Sequence, residues 1–538
     1  MEIRKLLVAN RGEIAVRVFR ACRPEGIATV AVVAPDDRGS LHAREADEVV
    51  EIGGYLHSEE HIRAAQEREA DAIHPGYGFL AERADFAEAV EATGLLFVGP
   101  TPEALRRGGD KLEAKRAAVE AGVPVLPSGE PDEVGFPLMI KAAAGGGGRG
   151  MRVVRERREL DEAVSAARRE AKAAFGDDSL FYERYLERPR HVEIQLLADE
   201  HGNVHALGER ECSVQRRHQK VLEEAPSPAL DAELRARMSD AAVAFGGAIG
   251  YRSLGTVEFL LDGRDFYFLE LNGRIQVEHP VTEEASGLDL VALQLSIARG
   301  TEIADVPADF RRHAVEVRLY AEDPRTFLPQ AGTISRLRLP GSIRVDAGVS
   351  EGDEVGVAYD PMIAKLIASG ADRPAALDAL QAALAETEVD GVTTNLAFLR
   401  WLVAHPALHA GRTTTAFLTE YPPLSAAPVG LPSGPWAVLW RLNLPPPSPT
   451  PVPDPDAAVH DHRHAGGRSD LTAPMPGTVI RVTVVEGDEV AARQPLVVLE
   501  AMKMETPVVS PYDAVVHAVH VAEGDRVAGG TVLVELED

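Results

Sequence analysis

The chain has 538 residues, of which 45% are hydrophobic, and carries a formal net charge of −28. Its length predicts about three to five domains, and its charge excludes a general nucleic-acid binder, which needs cations to replace the counterions of phosphate. No run approaches the ~20 apolar residues that span a bilayer. Because Cys22 and Cys212 are the only cysteines, no disulfide framework is expected. The N-terminus reads as a strand, not a signal peptide, so we expect a cytoplasmic protein.

Residues 1–107 alternate short apolar strands with amphipathic helices. Strand patterns begin at residue 5 and at residue 28, and helical spacing covers 14–23. A further apolar strand from residue 72 runs into the glycine loop Gly76-Tyr77-Gly78. This β-α-β order is typical of a doubly wound parallel sheet.

A glycine-rich hairpin is predicted next. Residues 137–142 form an apolar strand that carries Lys141, residues 145–150 are five glycines and one arginine, and 151–154 form a second strand. Glycine lets backbone N–H groups approach phosphate oxygens closely. Glycine runs are also typical of linkers, so the lysine and the two strands are needed to favour a phosphate site.

Two predicted strands at 256–261 and 266–272 carry a possible metal site. Alternation places Glu270 and Asn272 on one face, and a three-residue loop at 262–264 would pair Glu258 with Phe268 on that same face. Two carboxylates and an amide are oxygen ligands that suit Mg²⁺ near phosphates. The alternative is a pair of solvent-facing glutamates at a sheet edge.

The C-terminal part contains an internal repeat. Further strands and a helix at 375–387 precede a proline-rich stretch at 441–470 that is typical of an extended linker. Beyond it, Pro474–Val479 matches 511–516, 486–490 matches 523–527, and 496–499 matches 533–536. Two strand-rich copies predict two small sheets related by a pseudo-twofold axis. Between the copies lies Ala501-Met502-Lys503-Met504, where the lysine is either a hairpin-tip modification site or an ordinary strand residue.

These features resemble two families. The repeat with Met-Lys-Met resembles the biotinyl/lipoyl domains, and the Met pair favours biotin on Lys503. Residues 1–440 resemble biotin carboxylase, an ATP-grasp enzyme, in motifs such as Ala9-Asn10-Arg11-Gly12-Glu13, Gly109-Asp110-Lys111 and Asn272-Gly273-Arg274-Ile275-Gln276-Val277-Glu278-His279-Pro280. Departures from the family pattern are Gly273 in place of threonine, Arg184 in place of lysine, and a short segment at 129–136.

The resemblance implies a multidomain α/β and α+β architecture. Its parts are the N-terminal doubly wound domain (1–107), an ATP-grasp domain (108–310, lid about 130–205), a C-terminal carboxylase domain (311–440), the linker (441–470) and a small flattened β-barrel (471–538).

The resemblance also implies the site residues. Those that would bind ATP are Lys111, Lys141, Gly146, Gly147, Gly148, Glu183, Leu186, His191, Gln215 and His218. Mg²⁺ or Mn²⁺ would be held by Glu258, Glu270 and Asn272, and bicarbonate by Lys220, Arg274, Gln276, Val277 and Glu278. Catalysis would fall to Glu278 as general base, to Lys220 and Arg274 on bicarbonate, and to Arg318, which would stabilise the charge on deprotonated biotin. The alternative for Arg318 is a salt bridge to Glu316.

The implied activity is the ATP- and bicarbonate-dependent carboxylation of biotin on Lys503, the first half-reaction of an acetyl-CoA or propionyl-CoA carboxylase. Implied partners are a separate carboxyltransferase (beta) subunit, a biotin protein ligase and a second copy of the chain, which would dimerise through the carboxylase portion within a larger hetero-oligomer. Three alternatives remain open: a subunit of a pyruvate or other organic-acid carboxylase, a different ATP-grasp ligase that joins a carboxylate to an amine, and a carrier on a degenerate nucleotide fold. Biotin on the chain would exclude the second alternative, and bicarbonate-dependent ATP cleavage would exclude the third.

Overall fold

The structure is a computed structural model that describes residues 2–142, 151–175, 178–216, 219–303, 306, 309–356, 358–423, 468–501 and 504–537. Several predicted features therefore lie outside the described residues. They are Gly146, Gly147 and Gly148 of the glycine loop, His218, the attachment residue Lys503, and the linker up to residue 467.

The N-terminal part is a five-stranded sheet in the order β3-β2-β1-β4-β5, and all its strand pairs are parallel. Helices between the strands cover its faces, so the predicted doubly wound sheet is confirmed. Its elements are β1 Lys5–Val8, α1 Gly12–Cys22, β2 Ala28–Val33, α2 Leu41–Glu45, β3 Glu48–Glu51, α3 Ser58–Glu67, β4 Ala72–His74, α4 Ala84–Ala92, β5 Leu96–Phe97 and α5 Pro102–Gly109.

A small three-stranded unit follows the helix α6 (Lys111–Glu120). We call its segment from α7 to β8 the lid: α7 Pro131–Val134, β6 Leu138–Ala142, β7 Arg152–Val154, a 3₁₀ helix at Arg157–Glu159, α8 Leu160–Phe175 and β8 Leu180–Arg184. The strands pair in the order β7-β6-β8 around a separate apolar cluster that includes Leu138, Ile140 and Val154. The predicted lid limit of about 205 stays a prediction; in the structure the next strand, from Arg190 onward, is buried in the main sheet.

The main sheet has eight strands in the order β13-β12-β9-β10-β11-β14-β19-β17. Its strands are β9 Arg190–Ala198, β10 Val204–Arg216, β11 Gln219–Ala225, β12 Ser253–Asp262, β13 Asp265–Asn272, β14 His313–Tyr320, β17 Arg344–Ala347 and β19 Met362–Gly370. Two two-stranded sheets lie apart from it and pair β15 Gly332–Thr333 with β18 Glu354–Val355 and β16 Arg336–Arg338 with β20 Glu388–Asp390. The helices of this part are α9 Ala232–Ala248, α10 His279–Ser286, α11 Leu290–Ala298, α12 Arg373–Glu386, α13 Leu396–Val403, α14 Pro406–His409 and α15 Phe417–Glu420.

This sheet runs across the boundary predicted at residue 310. Strand β11 pairs with β14, and Val221 and Leu222 share one apolar cluster with Val315 and Val317. The two predicted domains therefore have a common core here. The domain limits drawn from the sequence stay predictions.

The hairpin of β12 and β13 has a different register from the one predicted. Asp262 pairs with Asp265, so the loop is the two residues Gly263 and Arg264, and Gly263 takes the positive φ that such a turn requires. A bulge then shifts the register between Glu258 and Phe259, and Glu258 pairs with Glu270. The predicted pairing of Glu258 with Phe268 is wrong, but the bulge still brings the two carboxylates opposite each other.

The C-terminal repeat forms two four-stranded antiparallel sheets, in the orders β21-β28-β26-β23 and β25-β24-β22-β27. Their strands are β21 Arg468–Thr472, β22 Gly477–Val482, β23 Glu489–Val490, β24 Pro495–Ala501, β25 Met504–Val509, β26 Ala514–Val519, β27 Arg526–Val527 and β28 Val532–Glu537. The short strand of each copy pairs with the other copy's sheet, so the predicted pseudo-twofold barrel is confirmed. Ala501 pairs with Met504, so the two strands end on either side of Met502-Lys503. Across the described parts of the chain, we find no helix with the length and apolar character needed to cross a bilayer.

Candidate active site

Charged side chains meet on one face of the main sheet. Glu193 lies on β9, Lys220 on β11, Glu258 on β12 and Arg318 on β14, and Glu278 is the residue that caps the start of α10. Because β9, β11, β12 and β14 belong to one sheet, side chains that alternate onto the same face converge. All five are buried or nearly so, which makes their pairing obligatory.

Lys220 is the centre of this cluster. Its ammonium group has three donors, and these go to one oxygen of each of three carboxylates: Glu193 at 2.5 Å, Glu258 at 2.7 Å and Glu278 at 2.6 Å. Burial would lower the pKa of Lys220, but the three carboxylates raise it well above its usual range. Lys220 is therefore a permanent point charge.

Glu278 is held on both of its oxygens. Oε1 accepts from Lys220, and Oε2 accepts from Arg318 Nη2 at 3.0 Å. Burial would raise the pKa of Glu278, but the two cations hold it well below its usual value. The guanidinium of Arg318 also lies 2.5 Å from Glu223. Its recorded ion pairs thus go to Glu223 and Glu278 and not to Glu316, against the alternative considered from the sequence.

Glu258 and Glu270 offer a possible cation site. Glu258 accepts from Lys220, from Asn272 Nδ2 at 3.0 Å and from Gln276 Nε2 at 2.9 Å. Although burial opposes ionisation, the neighbouring cations keep the pKa of Glu258 well below its usual range. Desolvation by the surrounding protein and, after it, the negative charge of Glu258 raise the pKa of Glu270. Two carboxylates and the Asn272 amide form an oxygen-only donor set, which fits Mg²⁺ or Mn²⁺.

His191, one of the residues expected to bind ATP, lies beside the Glu258 carboxylate. Its Nδ1 lies 2.9 Å from Gln215 Nε2. Since an amide nitrogen can only donate, Nδ1 accepts and the ring proton lies on Nε2. That nitrogen lies 3.0 Å from Glu258 Oε2. This contact does not have hydrogen-bond geometry, and His191, Glu193 and Glu258 bring ligand atoms within 4.8 Å of one another, an arrangement that could also hold a metal ion.

The predicted bicarbonate residues surround the cluster. Arg274 donates from Nη2 to Asn272 Oδ1 at 2.6 Å and lies 3.2 Å from Glu82 through Nε. Gln276 is already engaged, because it donates to Glu258 and accepts from Arg210 at 2.6 Å. The carbonyl of Val277 accepts from Lys365 Nζ at 2.9 Å. The Arg274 side chain is 20% exposed, against 11% for Lys220 and 3% for Glu278.

The remaining predicted ATP residues lie on the lid and on α6. Lys141 and Glu183 form an ion pair on neighbouring lid strands, and the half-buried Leu186 follows β8. Lys111 is exposed at the start of α6 and is close enough to Glu270 to act against the rise of its pKa.

Four residues of this region had no role in the sequence analysis. They are Glu193, Glu223, Arg210 and Lys115. Glu193 follows His191 by two residues on one strand and Lys115 follows Lys111 by four residues on one helix, so periodicity could have indicated both. Nothing in the sequence indicates Arg210, a fully buried residue whose guanidinium donates to Glu193, Gln195, Gln276, Thr256 and Thr282.

Family models match four consecutive parts of the chain. The N-terminal domain of biotin carboxylase matches residues 2–105, the ATP-binding domain of the carbamoyl-phosphate synthase L chain matches 110–306, and the C-terminal domain of biotin carboxylase matches 316–420. The model of biotin-requiring enzymes matches 469–536.

Known proteins are similar over most of the chain. A biotin carboxylase of Halalkalibacterium halodurans is 47% identical over 78% of this chain and 98% of its own length. The propionyl-CoA carboxylase alpha chain of Ruegeria pomeroyi is 45% identical over 80% of this chain and 69% of its own length. The biotin carboxylase domain of Hydrogenobacter thermophilus 2-oxoglutarate carboxylase, solved as a dimer with MgADP, ADP and bicarbonate, is 42% identical, with a TM-score of 0.75 over 78% of this chain and 98% of that one. This chain is an ATP-dependent ligase that belongs to the biotin carboxylase family and ends in a domain of the biotin-requiring enzymes.

Proposed function

We propose that this chain uses ATP and bicarbonate to carboxylate biotin held on Lys503, and that it hands the carboxyl group to an acyl-CoA through a separate carboxyltransferase subunit. The observation that carries the proposal is the contact of Lys220 with Glu193, Glu258 and Glu278 beside Arg318. This cluster combines a charge that can bind an anion with a carboxylate that can take a proton.

ATP would bind between the lid and the main sheet. Lys111 and Lys141 would contact its phosphates, together with the glycines at 146–148, and Glu183, Leu186, His191, Gln215 and His218 would complete the nucleotide site. Glu258, Glu270 and Asn272 would hold Mg²⁺ or Mn²⁺, which supplies positive charge to the phosphates when bound. Their oxygen-rich donor set supports this assignment.

Bicarbonate would lie between Arg274 and Lys220. A guanidinium suits a planar oxyanion because it can donate two parallel hydrogen bonds. Gln276 and the backbone at Val277 would line the same position. The bicarbonate oxygen would then attack the γ-phosphorus of ATP, which gives carboxyphosphate and releases ADP.

Glu278 would take the proton of bicarbonate during this attack. In the described arrangement its pKa is low because Lys220 and Arg318 both contact it, and a carboxylate of low pKa is a weak base. An anion that binds Lys220 draws that cation away from Glu278, so its basicity rises when the substrate arrives. Arg318 would then face the position where negative charge develops on the carboxyl acceptor, an electrostatic role typically worth about 3 kcal/mol.

The acceptor after biotin is proposed to be acetyl-CoA or propionyl-CoA. Support comes from the propionyl-CoA carboxylase alpha chain, of which this chain covers 69%. A 2-oxoglutarate carboxylase domain is nearly as similar, so an organic-acid acceptor is the second candidate. We further infer a biotin protein ligase, a homodimer through the carboxylase portion, and a reducing compartment such as the cytoplasm, where the buried free thiols of Cys22 and Cys212 stay reduced.

The test is to express the chain with a biotin ligase and to measure ADP release with and without bicarbonate, together with the intact mass. Biotin on the chain and bicarbonate-stimulated ADP release support the proposal. ADP release that is indifferent to bicarbonate contradicts it. Capture of a co-purified carboxyltransferase, assayed with acetyl-CoA, propionyl-CoA, pyruvate and 2-oxoglutarate, then identifies the acceptor.

A further inference from the structure

One ion-pair cluster joins the lid to the rest of the molecule. Glu183, on lid strand β8, accepts from Lys115 Nζ at 2.6 Å through Oε1 and from Lys141 through Oε2. Lys141 belongs to the lid strand β6, whereas Lys115 belongs to α6 outside the lid. The Glu183 carboxylate therefore bridges two lysines that lie on different bodies of the fold.

The two bodies have separate cores. Helix α6 presents Ala114, Ala117 and Ala118 to the apolar cluster of the main sheet, while the lid strands pack around their own cluster. At the base of the lid, Glu183 forms a β-bridge with Ser128, and the Arg184 N–H donates to the Pro127 carbonyl at 2.9 Å. Glu183 thus lies where the lid meets the chain that carries it, and Lys115 reaches it from the other side.

The burial of Glu183 makes its pairing with a cation important for stability. The Glu183 side chain is 9% exposed and that of Lys115 is 19% exposed. Burial would raise the pKa of Glu183, but Lys141 and Lys115 keep it lowered. Leaving this buried carboxylate without any cation would be strongly destabilising, because an unpaired buried charge has lost its hydration. Two lysines on one carboxylate also leave a net charge of +1, which favours an incoming phosphate.

We propose that Lys115 is a positioning residue for nucleotide binding: it keeps Glu183 paired when Lys141 moves to the phosphates, and it keeps the lid joined to α6 in that state. The inference rests on the proposed function through the assignment of Lys141 to ATP. Without Lys115, the phosphates and Glu183 would compete for Lys141 alone. Either the phosphates lose that contact or Glu183 is left buried and unpaired.

The test is a double-mutant cycle on the affinity for MgADP, measured by titration calorimetry with the full-length biotinylated chain. Lys115→Met is expected to weaken MgADP binding about tenfold, and Lys115→Arg, which keeps the cation, by less than about twofold. Arg116→Met, on the same helix with an exposed side chain, removes the same charge and is expected to leave the affinity unchanged. This control separates a specific contact from a general loss of positive charge.

The decisive comparison uses a Glu183→Gln background. If Lys115 acts through Glu183, then Lys115→Met has less than about a twofold further effect there, whatever Glu183→Gln does by itself. An equal tenfold loss in both backgrounds, or no loss in either, overturns the proposal. The readout is MgADP affinity, which does not depend on bicarbonate. ATP cleavage that is indifferent to bicarbonate would therefore contradict the proposed function without affecting this test. If the enzyme is stimulated by bicarbonate but Lys115→Met has the same effect in both backgrounds, only the inference about Lys115 fails.

Discussion

The Lys220 ammonium lies 2.6 Å from Glu278 Oε1, so an acid–base candidate and an anion-binding candidate are in direct contact. This contact couples their functions, since whatever binds Lys220 changes the charge that Glu278 experiences. The same lysine also contacts Glu193 and Glu258. A substrate anion at Lys220 would therefore change the charge near carboxylates on β9 and β12 as well.

Glu278→Gln tests the base. Glutamine keeps the shape but cannot take a proton, and its amide nitrogen cannot accept from one of the two cations that contact Glu278, so bicarbonate-dependent ADP release should fall by at least about 10²-fold, the low end of the usual contribution of a general base. MgADP affinity, measured in parallel, should stay within about twofold. Turnover at the wild-type rate would show that another group takes the proton.

Lys503→Arg tests the attachment residue. Arginine keeps the charge but lacks the primary amine that forms the amide with biotin, so the intact mass should lose the biotin increment and carboxyl transfer to any acyl-CoA should stop. ADP release with free biotin as acceptor should persist, since the carboxylase portion is unchanged. Lys172→Arg, at an exposed lid lysine, serves as the control. Biotin found on the Lys503→Arg chain would contradict the assignment.

Arg210→Met tests the buried guanidinium. The side chain is fully buried, and its loss would leave Glu193 with Lys220 as its one remaining cation and free the oxygen of Gln276. Removing one partner of a buried network typically costs about 3–5 kcal/mol, which we expect as a lower free energy of unfolding of the main sheet in urea. Arg168→Met, at an exposed position on the lid helix, should change this value by less than about 0.5 kcal/mol. A small cost at Arg210 would mean that the network reorganises.

His61→Gln tests a pH dependence of the N-terminal sheet. Burial lowers the pKa of His61 from 6.5 to about 4. Between pH 6.5 and pH 4, His61 is protonated in the unfolded chain but neutral in the folded chain. The free energy of unfolding is therefore at its full value above pH 6.5 and decreases as the pH falls toward 4. For one such histidine the loss between pH 8 and pH 5 is about 2 kcal/mol.

This pH-dependent loss should shrink by that amount in His61→Gln. The measurement is hydrogen exchange in peptides from β1 to β4, corrected for intrinsic rates at each pH. His57→Gln, at an exposed side chain, should leave the loss unchanged. Equal losses in the wild type and in His61→Gln would show that His61 becomes protonated without unfolding.

Gly273→Thr restores the residue that the family pattern favours. A Cβ at Gly273 would lie 2.9 Å from Leu105 Cδ2, the movable end of a buried side chain. We expect a cost of about 1–3 kcal/mol in urea unfolding, typical of overpacking. Combined with Leu105→Val the cost should be smaller than the sum of the two single changes. Strict additivity would place the strain elsewhere.

Part of the molecule follows directly from residue patterns. The strand at Ala28–Val33 begins at the predicted residue because β-branched residues between polar turns allow few alternatives. The register of Glu258 did not follow, since the two-residue loop and the bulge each move its partner one residue further along β13, from Phe268 to Glu270 in total, and neither is visible in simple alternation.

The ion pairs of the site were harder still. Glu193, Arg210 and Glu278 are separated by 17 to 85 residues in the chain and meet only because three elements pack together. The resemblance gave expected roles for individual residues. It could not show that Lys220 contacts three carboxylates at once or that Lys115 contacts Glu183. Those relationships depend on tertiary packing.

The exchanged short strands of the C-terminal barrel have a consequence for its history. Because β23 completes the sheet of the second copy and β27 that of the first, either copy alone would expose strand edges that invite pairing with other chains. Two separate single copies could satisfy those edges only by associating as a swapped dimer. A gene duplication that fused such a dimer would yield this barrel in one step, and a substitution in one half must remain compatible with the sheet of the other half.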